Sequence, residues 1–415
     1  MLSKLLRTSS RRLGAKSTRL IELENIYNCQ NYAPLPVVIE RAEGAWLFDV
    51  EGKRYLDCLS AYSAVNHGHV HPRIKKVVID QMEKITLTSR ALYNEKLGTA
   101  LEKLCKTLDY PKGILMNTGV EAGETAIKFA RRWAYEVKGV PDNQACVLFA
   151  KGNFWGRTIA ACGSSDDPDR YHHFGPFGLN FGLIDYDSPE ALEEAIKKNP
   201  NVAAFMVEAI QGEAGVVLPQ DGYLAKVRNI CGKYNVLLIV DEVQTGLGRT
   251  GKLLCQEYDN VKADLVCLGK SLSGGIMPVS AVVGRKEIFD RIVPNSHGST
   301  FGGNPLASAI VVESLNVIRD EGFVDNARIQ GDYLLKNLRN ILGKNPLIKE
   351  VRGKGLFIAI EVNKEVDAAV YAKKLLKEGL ISKQTHETVL RICPPLIIKK
   401  TEADFIIEKV AKVFN

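Results

Sequence analysis

The strongest constraint on what this chain can fold into is an alternation. Between about residues 72 and 320, short apolar runs lie near 113–116, 145–149, 203–207, 236–240, 264–268 and 279–283. Helix-like segments near 72–84, 95–107, 119–138, 189–198, 222–234 and 304–320 lie between and beside them. The runs are apolar throughout, as in strands buried on both faces. Strands alternating with helices predict an α/β fold with a mostly parallel central sheet flanked by helices. At 415 residues the chain exceeds the usual size of a single core. Residues 33–57 read instead as hairpin-like strands with a turn at Glu51-Gly52-Lys53. After about residue 322 a helix over 326–342 leads to strand-like Leu356 to Glu361, a helix over 366–378, the run Val389 to Ile392 and a last helix over 402–414. The expected division is a large domain over 72–320 and a smaller α+β domain built from 21–71 and 321–415.

Charge excludes one class of partner. The net charge is +7, but six basic residues (Lys4, Arg7, Arg11, Arg12, Lys16, Arg19) and no acid lie within residues 1–20. The remaining body is nearly neutral with no basic stripe, so no nucleic-acid partner is expected. No apolar run is long enough to span a bilayer, so no membrane partner is expected either. The acid-free, Arg- and Ser-rich stretch 1–20 reads as a mitochondrial transit peptide. The nine cysteines are scattered with no C-x-x-C, which suits a reducing compartment and no disulfide framework. The mitochondrial matrix fits both features; a basic tail on a cytoplasmic protein is the alternative.

Two of the apolar runs deliver chemistry. Val236-Leu-Leu-Ile-Val-Asp241 ends on a carboxylate, and Asp264-Leu-Val-Cys-Leu-Gly-Lys270 ends on a lysine before the small-residue turn Ser271-Leu-Ser-Gly-Gly275. Strand then turn presents a side chain at the carboxyl edge of a parallel sheet. A lysine can bond to an aldehyde, and an aspartate can keep a heterocyclic nitrogen protonated. These are the two fixed points of a pyridoxal-phosphate enzyme. In Met116-Asn-Thr-Gly-Val-Glu-Ala-Gly-Glu124, Thr118 and Glu121 form a capping-box pattern, so the N–H groups of Gly119 and Val120 would face an anion such as phosphate. The loop His297-Gly-Ser-Thr-Phe-Gly-Gly303 offers the hydroxyls of Ser299 and Thr300 for the same anion. Gly152-Asn-Phe-Trp-Gly-Arg-Thr158 sets Phe154 to stack on a flat ring, Trp155 beside it, and Arg157 to bind a carboxylate. Glu208 and Glu213 follow another apolar run, and either could hold an arginine.

Two patterns compete with this assignment. Gly246-Leu-Gly-Arg-Thr-Gly251-Lys252 matches a nucleotide-binding glycine pattern. However, Leu253 stands where a magnesium-binding hydroxyl must be, and the glycines begin five residues beyond the strand. His67, His69 and His71 share one face of an extended segment, but no nearby cysteine or acid completes a metal site, and structural roles are expected.

From about residue 22 onward the chain resembles the fold-type I, pyridoxal-phosphate-dependent class-III aminotransferases, and in particular their ornithine δ-aminotransferase branch. The resemblance rests on Asn31-Tyr-Ala-Pro-Leu-Pro-Val, Leu59-Ser-Ala-Tyr-Ser-Ala-Val-Asn, Gln211-Gly-Glu-Ala-Gly-Val, Asp241-Glu-Val-Gln-Thr-Gly, Leu268-Gly-Lys-Ser-Leu-Ser-Gly-Gly and the stretches quoted above. It implies pyridoxal 5'-phosphate as cofactor, no metal, and a homodimer or higher homo-oligomer with shared active sites. It implies transfer of the δ-amino group of L-ornithine to 2-oxoglutarate, giving glutamate-5-semialdehyde and glutamate. Other ω-aminotransferases, acting on acetylornithine or 4-aminobutyrate, are the nearest alternatives.

Carried over position by position, the resemblance makes Lys270 the covalent attachment point and proton carrier. Asp241 is the partner of the pyridinium nitrogen, with its own pKa held low by that cation. Phe154 stacks on the ring, and Gln244 reaches its phenolic oxygen. Gly119, Val120, Ser299 and Thr300 hold the phosphate, with Thr300 coming from the partner subunit. For substrate, the resemblance implies Tyr32 and Tyr62 at the ammonium end, Trp155 lining the pocket and Arg157 on a carboxylate. Arg391 takes the α-carboxylate of 2-oxoglutarate and is neutralised by Glu213 when ornithine is bound. The chain departs from the branch at Asn28-Cys-Gln30, Ala209, Ile276-Met277 and Gln384, none of which removes a catalytic group.

Overall fold

The computed structural model describes residues 14–414. Near the N-terminus β1 (Ile39–Glu43), β2 (Trp46–Asp49) and β3 (Arg54–Asp57) pair antiparallel. The central sheet contains β4 (Lys112–Met116), β5 (Cys146–Ala150), β6 (Phe181–Ile184), β7 (Val202–Glu208), β8 (Leu237–Asp241), β9 (Leu265–Leu268) and β10 (Ser280–Gly284), in the order β4-β10-β9-β8-β7-β5-β6. β10 runs antiparallel to both neighbours, and the pairings from β9 through β8, β7 and β5 to β6 are parallel. The architecture is the predicted α/β one.

Beyond it, β11 (Ile348–Lys354), β12 (Phe357–Val362), β13 (Leu380–Ile381), β14 (Gln384–Thr385) and β15 (Val389–Ile392) follow. β11, β12, β15 and β14 form an antiparallel sheet, and β13 crosses to pair parallel with β3. The C-terminal chain thus supplies the fourth strand of the N-terminal sheet.

The pleat explains why the central strands are apolar at every position. Leu237 and Ile239 of β8 face the cluster formed with Ala126, Phe129 and Ala130 of the helix Gly119–Trp133. Leu238 and Val240 face the cluster that includes Leu224 and Val227 of the helix Tyr223–Lys233. Every residue of β7 through β10 is buried. Phe205, at the middle of β7, is fully buried. Phe205→Ala is expected to cost about 3–5 kcal/mol. It should appear as a lower denaturant midpoint with an unchanged slope.

The expected strands lie within a residue or two of the observed ones; the omissions have physical causes. β6 is a short edge strand interrupted by Gly182. β11 reads Ile-Lys-Glu-Val-Arg-Gly-Lys and is made a strand by its pairing with β12, not by hydrophobicity. The helix Ala15–Tyr27 begins inside the stretch 1–20 expected as a transit peptide, and both the N–H and the hydroxyl of Ser17 donate to Glu51 at 3.1 Å. Residues 1–13 of that stretch lie outside the described residues.

The two competing patterns also resolve. Gln244 to Gly251 are all buried, and a Cβ at Gly248 would lie 3.0 Å from Leu396, so this glycine run packs inward and offers no open phosphate cradle. The three histidines have three different partners: His67 the carbonyl of Ser314 at 3.0 Å, His69 the carboxylate of Asp57 at 2.8 Å, and His71 that of Glu321 at 3.2 Å. Among the described residues no helix is long and apolar enough to cross a membrane.

Candidate active site

Parallel pairing brings the chemistry to one sheet edge. Glu208 ends β7 directly opposite Asp241, which ends β8, and Asp241 pairs with Cys267 of β9. Lys270 follows three residues later, at the first position of a 3₁₀ turn, with φ +42. A non-glycine residue in this left-handed region is held there by its surroundings. The three side chains open into a cavity of about 210 Å³ lined by Gly119, Val120, Phe154, Trp155, Gln244 and Thr245 as well.

Burial sets the protonation of this trio. The Lys270 ammonium is pushed down to about 8 by burial, against the raising influence of Asp241, Glu208 and Glu213. Burial pushes Glu208 up to about 8, with Asp241 adding to the rise. The backbone N–H groups of Phe154 (3.1 Å) and Gly212 (3.0 Å) donate to Glu208. The sequence predicts an Asp241 held low by a cation. In the protein alone burial wins, and the carboxyl is pushed up to about 6 although the Val243 N–H (2.9 Å) and Lys270 oppose the shift.

The predicted capping box forms. The Thr118 hydroxyl accepts from the Glu121 N–H at 3.3 Å, and the Glu121 carboxylate accepts from the Thr118 N–H at 2.7 Å. The helix therefore starts at Gly119 and points its first N–H groups at the cavity. Asn117 donates to the Ser299 hydroxyl at 2.8 Å, which ties the second predicted anion loop to this helix start. Thr300 is exposed and does not line the cavity.

Phe154 stands half-buried at the cavity with the guanidinium of Arg157 5.7 Å and that of Arg170 4.8 Å from its ring centroid. Trp155 faces mostly inward: its indole stacks on Phe149 with centroids 5.7 Å apart, and its N–H donates to Ser164 at 2.8 Å. Gln244 lies over Gly212, where a Cβ would come within 2.0 Å of the amide oxygen.

A second cluster lies beside the first. Arg391 of β15 is 2% exposed and its Nη1 lies 2.9 Å from the Glu213 carboxylate. Its Cζ stands 4.8 Å from the Tyr62 ring centroid. Burial raises the Tyr62 phenol above its ordinary value, with Arg391 opposing. Tyr32 is 60% exposed, and the Arg157 guanidinium lies 5.9 Å from its ring. Of the sequence-predicted residues, Gly119, Val120, Phe154, Trp155, Asp241, Gln244 and Lys270 line the cavity and Tyr62, Glu213 and Arg391 form the second cluster; Arg157 lies between the Phe154 and Tyr32 rings, and Ser299 reaches the helix start only through Asn117.

Three features were not foreseen: Glu208 as a cavity wall, Arg170 over Phe154, and the backbone at Tyr62. Ser60, Ala61, Tyr62 and Ser63 all have positive φ, a left-handed turn made entirely of L-residues. Each such residue costs on the order of 1–2 kcal/mol. The turn is held by the Asp57 carboxylate, which accepts from the N–H groups of Leu59 (2.8 Å) and Ser60 (2.9 Å), and by the Ser60 hydroxyl, which donates to the Cys393 carbonyl at 2.7 Å.

The chain has counterparts among known proteins. The family model for class-III aminotransferases matches residues 27–414. The chain belongs to the class-III aminotransferase family. A probable mitochondrial ornithine aminotransferase of Caenorhabditis elegans is 52% identical over 95% of this chain and 94% of its own. An ornithine aminotransferase structure from Toxoplasma gondii superposes with a TM-score of 0.94 at 46% identity, covering 100% of this chain and 97% of that one. A second structure of the T. gondii enzyme, also at a TM-score of 0.94 and 46% identity and covering 98% of each chain, is described with pyridoxal phosphate at partial occupancy in its active site.

The residues of this aminotransferase fit that cofactor. The cavity joins a helix N-terminus suited to phosphate, an aromatic face at Phe154, a carboxylate at Asp241 and a half-buried lysine of lowered pKa.

Proposed function

We propose that this class-III aminotransferase uses pyridoxal 5'-phosphate to move the δ-amino group of L-ornithine to 2-oxoglutarate. The observation that carries the substrate assignment is the Glu213–Arg391 ion pair beneath Tyr62. Ornithine and 2-oxoglutarate present opposite charges to the same place, an ammonium and a carboxylate, and a separable acid–base pair can meet both. With ornithine, Glu213 stays on Arg391, Tyr62 and Tyr32 receive the α-ammonium, and Arg157 takes the carboxylate. With 2-oxoglutarate, Glu213 swings away, Arg391 takes the α-carboxylate and Arg157 the distal one, while Trp155 closes the pocket wall.

The bound cofactor supplies an electrophilic carbon and an electron-accepting ring. Lys270 supplies the amine that attaches it and afterwards carries the proton at the substrate carbon. A pKa near 8 leaves a useful neutral fraction at physiological pH. Asp241 keeps the ring nitrogen protonated, Phe154 packs on one ring face and Gln244 reaches the phenolic oxygen. Gly119, Val120 and Ser299 hold the phosphate together with Thr300, contributed across a homodimer interface. That origin accounts for an exposed Thr300 in the single chain. We assign the enzyme to the mitochondrial matrix on its acid-free N-terminal stretch and on the mitochondrial designation of the nematode relative.

The deciding experiment is single-turnover absorbance on the cofactor-loaded protein, with ornithine, acetylornithine and 4-aminobutyrate added separately. Fast conversion to the pyridoxamine form is expected with ornithine; conversion only with another amine would move the substrate and keep the class. Tyr62→Ile should lower the kcat/KM ratio of ornithine to 4-aminobutyrate about tenfold, since 4-aminobutyrate has no α-ammonium for the phenol to meet. An unchanged ratio would count against ornithine.

A further inference from the structure

Among the described residues Arg249 is the largest fully buried side chain, and its setting is unusual for a charged residue. Among the described residues no carboxylate lies within ion-pair reach of it. Its Nη1 donates to the carbonyls of Leu356 (2.9 Å) and Pro394 (2.6 Å), and its Nη2 donates to the side-chain oxygen of Asn66. A buried guanidinium without a carboxylate is costly, and an apolar side chain of similar volume would pack the same space more cheaply. What the guanidinium adds is a rigid planar fork of donors.

The fork grips the segments that carry substrate recognition. Asn66 lies four residues after Tyr62, and Pro394 lies three after Arg391. Leu356 immediately precedes β12, whose Ala359 pairs with Arg391. Backbone bonds reinforce the same junction: Leu396 N–H to Asn66 carbonyl and Cys393 N–H to Cys58 carbonyl, both 2.8 Å. Arg249 itself sits on the loop that follows Asp241 and Gln244. One side chain therefore links the cofactor end of the sheet, the left-handed turn bearing Tyr62 and the strand end bearing Arg391.

We propose that Arg249 is a positioning residue for substrate recognition: by fixing Asn66 and Pro394 on one fork, it sets Tyr62 and Arg391 at the separation that lets Arg391 bind a substrate carboxylate. It rests on the proposed function only in assigning Arg391 to that carboxylate.

The test uses the cofactor-loaded holoenzyme and glutarate, an unreactive molecule with both carboxylates of 2-oxoglutarate and no ketone. Arg249→Lys keeps the charge and loses the fork; Asn66→Ala removes one grip. Each is expected to weaken glutarate binding about tenfold, the effect of losing one charge-assisted hydrogen bond. In an Arg391→Lys background each should change the affinity by less than about twofold, because the group being positioned is gone. Equal weakening in both backgrounds, or an Arg249→Lys affinity within about twofold of wild type, would overturn the proposal. If Arg249→Lys does not fold, Asn66→Ala and its combination with Arg391→Lys decide it by the same criteria. Wild-type turnover of ornithine is measured alongside; its absence would sink the ornithine assignment and leave the glutarate comparison standing.

Discussion

Lys270→Ala should lower turnover by on the order of 10⁴-fold or more, because one side chain is asked to do two jobs. In the proposed function it attaches the cofactor as a nucleophile and then carries the proton at the substrate carbon. Both need an amine that is neutral part of the time. Burial in the wall of the cavity pushes the Lys270 ammonium down to about 8, while Asp241 and Glu208 keep it from falling further. Lys270→Arg separates charge from proton transfer: the guanidinium keeps the positive charge and cannot give up its proton in a protein. It should be as inactive as the alanine variant. Stopped-flow measurement of the half-reaction with ornithine checks both. A loss of under tenfold in either variant would mean that another base carries the proton. Glu208 would then be the first to examine, since it faces the same cavity and is pushed up to about 8.

The site divides by how far apart in sequence its causes lie. Lys270, Asp241 and the Thr118–Glu121 capping box are legible because each depends on its own strand end or helix start. A strand of given length and a parallel register are enough to bring Asp241 and Lys270 together. The left-handed turn at Ser60–Ser63 is not legible, since no residue in Ser-Ala-Tyr-Ser favours positive φ. It exists because Asp57 and a carbonyl more than three hundred residues away, that of Cys393, hold it. The same distance hides Arg249, whose sequence neighbours suggest a phosphate loop and whose partners are Asn66, Leu356 and Pro394. Trp155 is half legible: the sequence places it in a loop between turn glycines, but the stacking on Phe149 that turns the indole inward is a tertiary contact. The pKa of Asp241 shows a different gap, because sequence gives the residue and its partner but not the burial that competes with them.

That competition makes Asp241→Asn informative in two directions. In the proposed function the carboxylate would hold a proton on the ring nitrogen of the bound cofactor, and a neutral amide would not. Loss of one preorganised electrostatic group of this kind costs about 10²–10³-fold in kcat. In the cofactor-free protein the same carboxylate is a burden. Its folded pKa of about 6 stands above the ordinary 3.8, so the fold favours the protonated form. Folded protein then binds more protons than unfolded protein between these two values, and stability falls as pH rises through that window. The loss is complete above about pH 6 and absent below about pH 4. A shift of this size corresponds to about 3 kcal/mol. Asp241→Asn carries no charge to bury, so the cofactor-free variant should melt at a higher temperature than cofactor-free wild type at pH 8. The two should converge as the pH approaches 4. Cofactor should reverse the order, since only the wild-type carboxylate gains a cationic partner. Thermal melts of both proteins with and without pyridoxal 5'-phosphate, at pH 8 and pH 4.5, read all of this. A variant less stable than wild type without cofactor at pH 8 would show that Asp241 serves the fold before it serves the ring.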